Sequence, residues 1–160
     1  MAIQPGDRLP DVTLTRVTAD GPQKVTTGAL FAGRKVVLFS VPGAFTPTCS
    51  ARHLPGFVEQ ADAFRAKGVD EVVGTAVNDA FVMAAWAKAS DVGDAVTLLA
   101  DGNAEFVRAL GLEMDGSGFG MGTRGQRFAA IVDDGTLTKL FVEAPGDFQV
   151  SSAEHVLGEL

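Results

Sequence analysis

Apolar residues along the chain fall into short runs that predict strands. Residues 35–41, K-V-V-L-F-S-V, are apolar or β-branched at nearly every position, which is typical of a strand buried on both faces of a sheet. Residues 71–77 and 96–100 have the same character. Residues 12–17 alternate between polar and apolar side chains, which predicts a further strand.

A long helix is predicted after the strand at 35–41 and its loop. It should run from about Cys49 to Lys67, and Gly68 should end it, because glycine readily adopts the left-handed conformation found at helix C-termini. Pro55 lies inside this segment and should kink it, since proline lacks the N–H that an interior helical residue donates.

A second helix is predicted between the strands at 71–77 and 96–100. Asp79 can cap it, because an aspartate side chain accepts backbone N–H groups of the first turn, and the helix should end near Ser90. Its apolar face should consist of Phe81, Val82, Ala85 and Trp86, with Trp86 in the core. Residues 103–110 predict a short third helix.

The last part of the chain predicts a hairpin and a helix. The glycine-rich stretch Gly111–Gly125 is expected to be a flexible loop. The runs R-F-A-A-I-V and L-T-K-L-F-V then flank Asp134-Gly135, a pair typical of a tight β-hairpin turn. Ser151 should begin the C-terminal helix, because Glu154 completes an S-x-x-E capping box.

The order of these elements predicts the fold class. Strand–helix crossovers followed by a hairpin and a helix imply an α/β fold with a mixed central sheet covered by helices on both faces. The thioredoxin-like fold is one such arrangement, although the elements alone do not select it. With 160 residues and no visible repeat or linker, the chain is expected to form a single domain over residues 1–160.

Composition limits the classes of binding partner and the cellular compartment expected for this protein. The formal net charge of −7 argues against nucleic acid and against an anionic membrane surface as partners. A single cysteine rules out an internal disulfide and indicates a reducing compartment. The N-terminal residues lack the basic and apolar regions of a signal peptide, and no apolar run approaches the roughly 20 residues of a membrane helix. We therefore expect a cytoplasmic protein that binds neither nucleic acid nor membrane.

The one cysteine, Cys49, is the strongest candidate for chemistry. It ends the segment V-P-G-A-F-T-P-T-C, a loop rich in proline, glycine and threonine that leads into the predicted helix. A thiol at a helix start faces unpaired backbone N–H groups and the positive end of the helix dipole. Both favour the thiolate, so its pKa should lie below the ordinary thiol value and Cys49 is a candidate nucleophile. A small buried, inert cysteine is the alternative.

Other possible sites carry weaker signals. His53 lies four residues after Cys49 and would share a helix face with it, so it is either a base for the thiol or, as we favour, a packing and hydrogen-bonding residue. His155 is expected on the surface. Two histidines and one cysteine give no metal-ligand spacing. Gly120–Gly125 matches G-x-G-x-x-G, but a strand pattern follows it instead of a helix, so no cofactor is predicted.

Several blocks of the sequence resemble one protein family. Pro42–Cys49 contains P-x-x-x-T-x-x-C, which is similar to the peroxidatic loop of peroxiredoxins, and the longer run Pro42–Phe57 resembles the plant type II branch and its bacterial and mitochondrial relatives. The similarity continues in order along nearly the whole chain, through K-G-V-D-E-V-V, V-N-D-A-F-V-M-A-A-W, A-L-G-L-E-M-D and R-G-Q-R-F-A-A-I-V-D-D-G. The resemblance implies a thioredoxin-like fold and a thiol peroxidase activity.

The resemblance also implies a set of site residues. Cys49 would attack a peroxide oxygen and become sulfenic acid. Thr46, whose hydroxyl can accept and donate, and Pro42, which can shape and shield the pocket, match the family's motif. The family's active-site arginine matches Arg127, where a guanidinium could hold several donors in a plane beside thiolate and peroxide. Arg124, three residues earlier, is the competing candidate.

The chain departs from the family's two-cysteine patterns. The resemblance places the resolving cysteine of the plant type II branch at Gly74 and that of the mitochondrial relatives around Phe148 to Ser151, and neither place holds a cysteine. We therefore expect a one-cysteine cycle in which an external thiol reduces Cys49, with glutathione and glutaredoxin as the first choice and thioredoxin as the second. The resemblance further implies a homodimer, with Phe45 and Phe81 as candidate interface residues.

Two other functions would use the same features. A non-enzymatic redox sensor would pass the oxidation of Cys49 to a partner protein, and it would react once instead of turning over. A thioredoxin-like binding module would hold an inert Cys49, whose thiol should titrate near its unperturbed value of about 8.5. For the favoured thiol peroxidase, hydrogen peroxide and small alkyl hydroperoxides are the expected substrates.

Overall fold

The computed structural model describes residues 2–48 and 52–160. The strands are β1 (Thr13–Thr18), β2 (Gly21–Thr26), β3 (Lys35–Ser40), β4 (Glu71–Ala76), β5 (Thr97–Ala100), β6 (Glu113–Asp115), β7 (Thr123–Gly125), β8 (Phe128–Asp133) and β9 (Thr136–Val142). The α-helices are α1 (Thr27–Phe31), α2 (Leu54–Glu59), α3 (Ala61–Ala66), α4 (Ala80–Ala89), α5 (Glu105–Leu110) and α6 (Ala153–Gly158). Within the described ranges, no helix has the length and apolar character needed to cross a membrane.

A seven-stranded mixed sheet forms the centre of the fold, in the order β2-β1-β5-β4-β3-β8-β9. The strands β3, β4 and β5 are parallel neighbours. The remaining pairs in this sheet are antiparallel. Because β3 pairs with β4 on one side and with β8 on the other, the loop that follows β3 leaves the sheet from its middle. The predicted mixed sheet is confirmed.

Alternation along β3 divides the core between the two faces of this sheet. Val37 and Phe39 belong to one buried cluster, which also holds Trp86 and side chains of α2, α3, α4 and α6. Val36 and Leu38 belong to a second cluster, which includes side chains of α1 and α5. Helices therefore cover both faces, as the element order predicts, and Trp86 lies in the core as expected.

Two local signals in the sequence are confirmed. Asp79 caps α4, since its Oδ1 accepts the N–H of Val82 at 2.8 Å. Asp134 and Gly135 join β8 to β9 with φ values of +50° and +75°, the left-handed pair that a tight hairpin turn requires. Both signals act within four residues of chain, so no distant contact is needed to produce them.

The buried face of α4 differs from the prediction. Met83 and Trp86 are buried and Val82 is half-buried, whereas Phe81 and Ala85 are exposed. Apolar residues occur around most of this helix, so their spacing does not identify the face that meets the sheet. Phe81 is left on the surface, and it becomes relevant to association below.

The long helix predicted from Cys49 to Lys67 is interrupted. Residues 49–51, and with them the predicted helix start, lie outside the described residues. α2 and α3 are separated at Gln60, where φ is −96° and ψ is 6°. Pro55 sits in the first turn of α2, directly after the π-helical residues 52–53. The kink at Pro55 stays a prediction, because part of the preceding turn lies outside the described residues. Gly68, with φ of +89°, follows α3 as the predicted stop.

The glycine-rich stretch Gly111–Gly125, predicted as a flexible loop, contains an antiparallel ribbon. β6 pairs with β7, and a 3₁₀ turn at Ser117–Phe119 lies between them. Strands of three residues bounded by glycines carry no periodic apolar pattern, so the sequence could not reveal them. β2 was not predicted either, because it lies at the sheet edge and is mostly exposed. α1 was also not predicted, since its five residues are too few to show a helical period.

The C-terminal helix α6 begins one residue later than predicted. Ser152 is its cap, with Oγ accepting the N–H of His155 at 3.2 Å. The hydroxyl of Ser151 instead donates to a carboxylate oxygen of Glu143 at 2.6 Å, so the predicted capping box does not form. His155 is also less exposed than expected: it is half-buried, with its ring centre 5.0 Å from that of Phe141 and the two rings nearly perpendicular.

Candidate active site

The loop that follows β3 is held in shape by hydrogen bonds to backbone and amide oxygens. The hydroxyl of Thr46 donates to the carbonyl of Gly43 at 2.8 Å, and the N–H of Ala44 donates to Oδ1 of Asn78 at 2.9 Å. Phe45 has a φ of +66°, a left-handed conformation that bulky residues rarely adopt, and its side chain is 52% exposed. The loop is therefore fixed in a strained conformation.

Arg124 of β7 reaches the same loop from the ribbon. Its Nε donates to the carbonyl of Met121 at 2.9 Å and its Nη1 to the carbonyl of Pro42 at 3.4 Å. A Cβ atom at Gly43 would lie 2.9 Å from Nη1 of Arg124 and 3.3 Å from Cγ2 of Thr46, so glycine leaves room for the guanidinium. Pro42, Thr46 and Arg124, all singled out from the sequence, thus form one cluster.

Arg127, between β7 and β8, bonds to a buried histidine. Its Nη1 donates to Nδ1 of His53 at 2.9 Å. The other ring nitrogen of His53, Nε2, lies 2.9 Å from the carbonyl oxygen of Ser151. A guanidinium cannot accept a hydrogen bond and a carbonyl cannot donate one, so the imidazole must be neutral with its proton on Nε2.

His53 is fully buried among aromatic rings. Its ring centre lies 5.1 Å from that of Phe39, 5.6 Å from that of Phe57 and 5.0 Å from that of Phe148. Burial, reinforced by the positive charge of Arg127, lowers the pKa of His53 to about 3. Both ring nitrogens are already bound, so the geometry favours the packing and hydrogen-bonding role over a base for the thiol.

A buried carboxylate organises the turn that His53 contacts. Glu143, directly after β9, receives four hydrogen bonds on Oε2, at 2.6 to 2.9 Å. The donors are the N–H groups of Gln149, Val150 and Ser151 and the hydroxyl of Ser151. Burial by itself raises the pKa of Glu143, but these donors together outweigh it and hold the pKa below its ordinary value.

The ring of Phe148 lies close to two guanidinium groups. Cζ of Arg52 is 4.7 Å from the ring centre of Phe148, and Cζ of Arg127 is 5.8 Å from it. Both distances allow a cation–π attraction. Residues 52–53 have a π-helical backbone, a local irregularity that is frequent at functional sites. Phe148 therefore contacts Arg52 of this segment as well as Arg127.

The structure thus brings the predicted residues into two clusters, one around Thr46 and one around Arg127. Cys49 lies outside the described residues. Sequence reasoning missed Glu143 and Ser151, for which the only signal was a glutamate directly after an apolar strand end. Among residues 2–48 and 52–160, no group of three or more His, Cys, Asp or Glu side chains is arranged to hold a metal ion.

Comparisons with known proteins assign the family. The chain matches the Redoxin family over residues 4–157. It is 55% identical to peroxiredoxin-2E-2, chloroplastic, from Oryza sativa subsp. japonica, over 97% of this chain and 71% of that protein. It is 47% identical to peroxiredoxin-2B from Arabidopsis thaliana, over 97% of this chain and 96% of that one. The crystal structure of reduced Prx3 from Vibrio vulnificus in complex with H₂O₂ superposes with a TM-score of 0.94 at 53% identity, covering 98% of each chain. This chain belongs to the peroxiredoxin family.

The family confirms the predicted fold and class of activity. This peroxiredoxin has the thioredoxin-like fold of its structural neighbours, and it is a thiol peroxidase like the peroxiredoxins that it matches. Its sequence has one cysteine, so it is a one-cysteine variant.

Packing at Gly74 leaves no room for the resolving cysteine that some relatives were expected to carry there. Gly74 of β4 pairs in register with Phe39 of β3. A Cβ atom at Gly74 would lie 2.5 Å from Cζ of Phe39 and 3.0 Å from Cδ2 of Leu98. Contacts this short force the neighbouring side chains to move, which destabilises a close-packed core. The ring of Phe39 therefore fills the space that any larger residue at this position would need.

The low pKa of His53 predicts a pH-dependent stability of the peroxiredoxin. Its ordinary pKa is 6.5 and its pKa in the fold is about 3, so between these values the unfolded chain binds more protons than the folded one. The free energy of unfolding should therefore fall as the pH is lowered through this interval, by up to about 1.4 kcal/mol for each pH unit. Urea unfolding of the wild type and of His53→Gln across this interval measures the difference in slope.

His155→Gln is the matched control for this measurement, because it removes the other histidine and retains the buried one. It should keep the pH dependence of the wild type. Equal slopes in the wild type and in His53→Gln would contradict the prediction.

Proposed function

We propose that this peroxiredoxin reduces hydrogen peroxide and small alkyl hydroperoxides through Cys49. The thiolate sulfur forms a bond to one peroxide oxygen while the O–O bond breaks. Sulfur is thereby oxidised to sulfenic acid, and the other oxygen leaves as hydroxide or alkoxide and takes up a proton. One observation carries the proposal: the only cysteine ends a P-x-x-x-T-x-x-C segment in a chain of the peroxiredoxin family.

Thr46 is proposed to hold the peroxide, and Pro42 to shape the pocket around it. The hydroxyl of Thr46 has one hydrogen, which is donated to the carbonyl of Gly43 at 2.8 Å. Its lone pairs then suit the acceptance of a hydrogen bond from the O–H of a peroxide. Pro42 has a fixed φ and no N–H, and its carbonyl is bound by Arg124, which supports a rigid wall at this point.

Arg127 is proposed to stabilise the thiolate and the charge that develops on the leaving oxygen. A guanidinium holds five N–H donors in one plane, so the contact with His53 orients the whole group. Arg124 instead directs Nε and Nη1 at the carbonyls of Met121 and Pro42. We therefore assign Arg124 to the support of the loop and Arg127 to the reacting atoms.

Substitution of the two arginines should separate these roles. Arg127→Gln should lower the second-order rate constant for oxidation of Cys49 by on the order of 100-fold, because it removes donors aimed at the developing charge. Arg124→Gln removes the same charge but only hydrogen bonds to backbone carbonyls, and should cost less than about 10-fold. Rapid mixing with peroxide, alkylation of the remaining thiol and mass spectrometry give both rate constants. A larger loss in Arg124→Gln would exchange the two assignments.

We propose further that an external thiol completes the cycle. A thiolate of the reductant attacks the sulfenic sulfur, forms a mixed disulfide and releases water, and a second thiol then exchanges to restore Cys49. The absence of a second cysteine in the sequence supports this scheme, and so does the packing at Gly74. Glutathione with glutaredoxin is the first candidate reductant, and thioredoxin is the second.

Peroxide consumption should depend on Cys49 and on one of these reductants. Cys49→Ser should have no peroxidase activity, because a hydroxyl neither ionises near neutral pH nor accepts the oxygen. The wild type should consume many equivalents of peroxide with glutathione and glutaredoxin, and fewer with thioredoxin and its reductase. Substantial activity in Cys49→Ser would refute the role of this residue.

A non-enzymatic redox sensor is the second candidate function. The same lack of a resolving cysteine favours it, because the sulfenic acid is then left for the thiol of a partner protein. A sensor would consume one equivalent of peroxide and stop with every small reductant system. Sustained turnover in the assay above therefore decides between the two functions.

We propose a homodimer that forms beside the site. Among residues 2–48 and 52–160, three large apolar side chains are exposed: Phe45 by 52%, Phe81 by 81% and Phe119 by 82%. The hydrogen bond from Ala44 to Asn78 places the loop of Phe45 beside the start of α4, which carries Phe81. Large apolar side chains exposed in neighbouring segments favour association.

Replacement of Phe81 should weaken this dimer. Phe81→Glu places a charge where the partner would exclude water, so sedimentation velocity at micromolar concentration should show a monomer. Gln23→Glu adds the same charge to an exposed position of the edge strand β2 and should leave a dimer. A wild-type protein that sediments as a monomer would contradict the proposed homodimer.

We propose a cytoplasmic location for this peroxiredoxin. A single cysteine that must return to the thiol form suits a reducing compartment. The net charge of −7 supports the proposal that its partners are peroxide, a thiol reductant and a second copy of the chain, and not nucleic acid or membrane.

A further inference from the structure

A closed ring of hydrogen bonds runs through the side chain and backbone of Arg127. Its guanidinium donates to Nδ1 of His53, and Nε2 of His53 faces the carbonyl of Ser151, each at 2.9 Å. The N–H and hydroxyl of Ser151 donate to Oε2 of Glu143 at 2.8 and 2.6 Å. The N–H of Glu143 donates to the carbonyl of Arg127 at 3.0 Å, which closes the ring.

We propose that Glu143 is a positioning residue for Arg127, and that it acts by fixing the tautomer of His53. The proposal rests on the catalytic role proposed above for Arg127. It adds a residue whose contacts lead through Ser151 and His53 to the guanidinium and set where that group points.

The carboxylate of Glu143 first fixes the turn at residues 149–151. Three consecutive N–H groups and one hydroxyl converge on a single oxygen, which is the geometry of an anion-binding nest. Hydrogen bonds to a charged acceptor are stronger than neutral ones, and both Glu143 and Ser151 are buried, so water does not compete. The direction of the Ser151 carbonyl is therefore determined by this carboxylate.

The carbonyl of Ser151 then decides where His53 carries its proton. A neutral imidazole can place the proton on either nitrogen, and the surroundings select one. An acceptor 2.9 Å from Nε2 requires an N–H there. Because His53 is fully buried, no solvent can take the place of this acceptor.

The lone pair left on Nδ1 finally holds the guanidinium. If the proton were on Nδ1, an N–H of His53 would face an N–H of Arg127 and the hydrogen bond would be lost. Burial already suppresses the doubly protonated ring, so the choice of tautomer is what remains to be set. Small displacements of a group that touches the reacting atoms can lower a rate strongly, on the order of 100-fold for about 1 Å.

The tautomer in the wild-type protein is a direct test. The chain has two histidines, so ¹⁵N-histidine labelling gives two pairs of ring signals, and His155→Gln assigns them. At neutral pH we expect an unprotonated Nδ1 and a protonated Nε2 for His53. A proton on Nδ1 would overturn the proposal whatever the variants show.

Glu143→Gln tests the origin of this tautomer. The amide keeps the shape of the side chain but removes the charged acceptor, so the single tautomer should give way to a mixture. The rate constant for oxidation of Cys49 by hydrogen peroxide should fall by on the order of 10-fold. Glu143→Asp keeps the charge but withdraws it from the turn, and should change both readouts in the same direction. A wild-type tautomer and a wild-type rate in either folded variant would overturn the proposal.

Two controls separate positioning from loss of stability. Glu159→Gln makes the same chemical change at a carboxylate that pairs with Lys139. Val156→Ala opens a cavity in the buried face of α6 without touching the ring. Both should keep the wild-type tautomer and rate. An equal fall in rate in Val156→Ala, or a fall in Glu143→Gln with an unchanged tautomer, would count against the proposal.

Arg127→Gln, measured in parallel, distinguishes the failure of this proposal from that of the proposed function. A wild-type rate in Arg127→Gln would remove the catalytic role on which the inference rests. A slow Arg127→Gln together with a wild-type rate in Glu143→Gln would refute the positioning role alone.

Discussion

The hydrogen bond from the Arg127 guanidinium to Nδ1 of His53 depends on the imidazole being neutral, and much of the surrounding structure serves that condition. Aromatic rings, including Phe39 of the central strand, exclude water from the imidazole and so penalise its charged form. The carbonyl of Ser151 accepts a hydrogen bond from the one ring N–H, on Nε2. A polar contact at the end of the sheet thus relies on the apolar core behind it, because in water the same histidine would exchange protons freely.

The two arginines of the site show how similar side chains receive different tasks from their acceptors. Arg124 is bound by backbone carbonyls, which hold it against the loop of Pro42 and Gly43. Arg127 is bound by a side chain whose own protonation can change. Backbone carbonyls do not change their protonation, so the contacts of Arg124 suit a structural support. The position of the Arg127 guanidinium instead depends on the protonation of the His53 ring.

Sequence reasoning succeeded where one local cause dominates. The inner strands β3, β4 and β5 are apolar on both faces, and the turn at Asp134-Gly135 needs only two residues. It failed at α4, where apolar residues surround the helix and only the packing selects a face. At the site, the family resemblance predicted Thr46 and Arg127 as candidates, but Ser151 contacts a histidine 98 residues away, and no pattern in a single sequence encodes such a contact. Tertiary packing, not local propensity, determines both the buried face of α4 and the contact between Ser151 and His53.

The pairing of Gly74 with Phe39 has a consequence for how this enzyme could change. A sulfur at position 74 would have to displace an aromatic ring from the middle of the central sheet. A descendant that gained its own resolving thiol there would need a smaller residue at position 39 beforehand, since the opposite order of substitutions passes through an overfilled interior. The ring of Phe39, as well as the lack of a second cysteine, therefore maintains the dependence on an external thiol reductant.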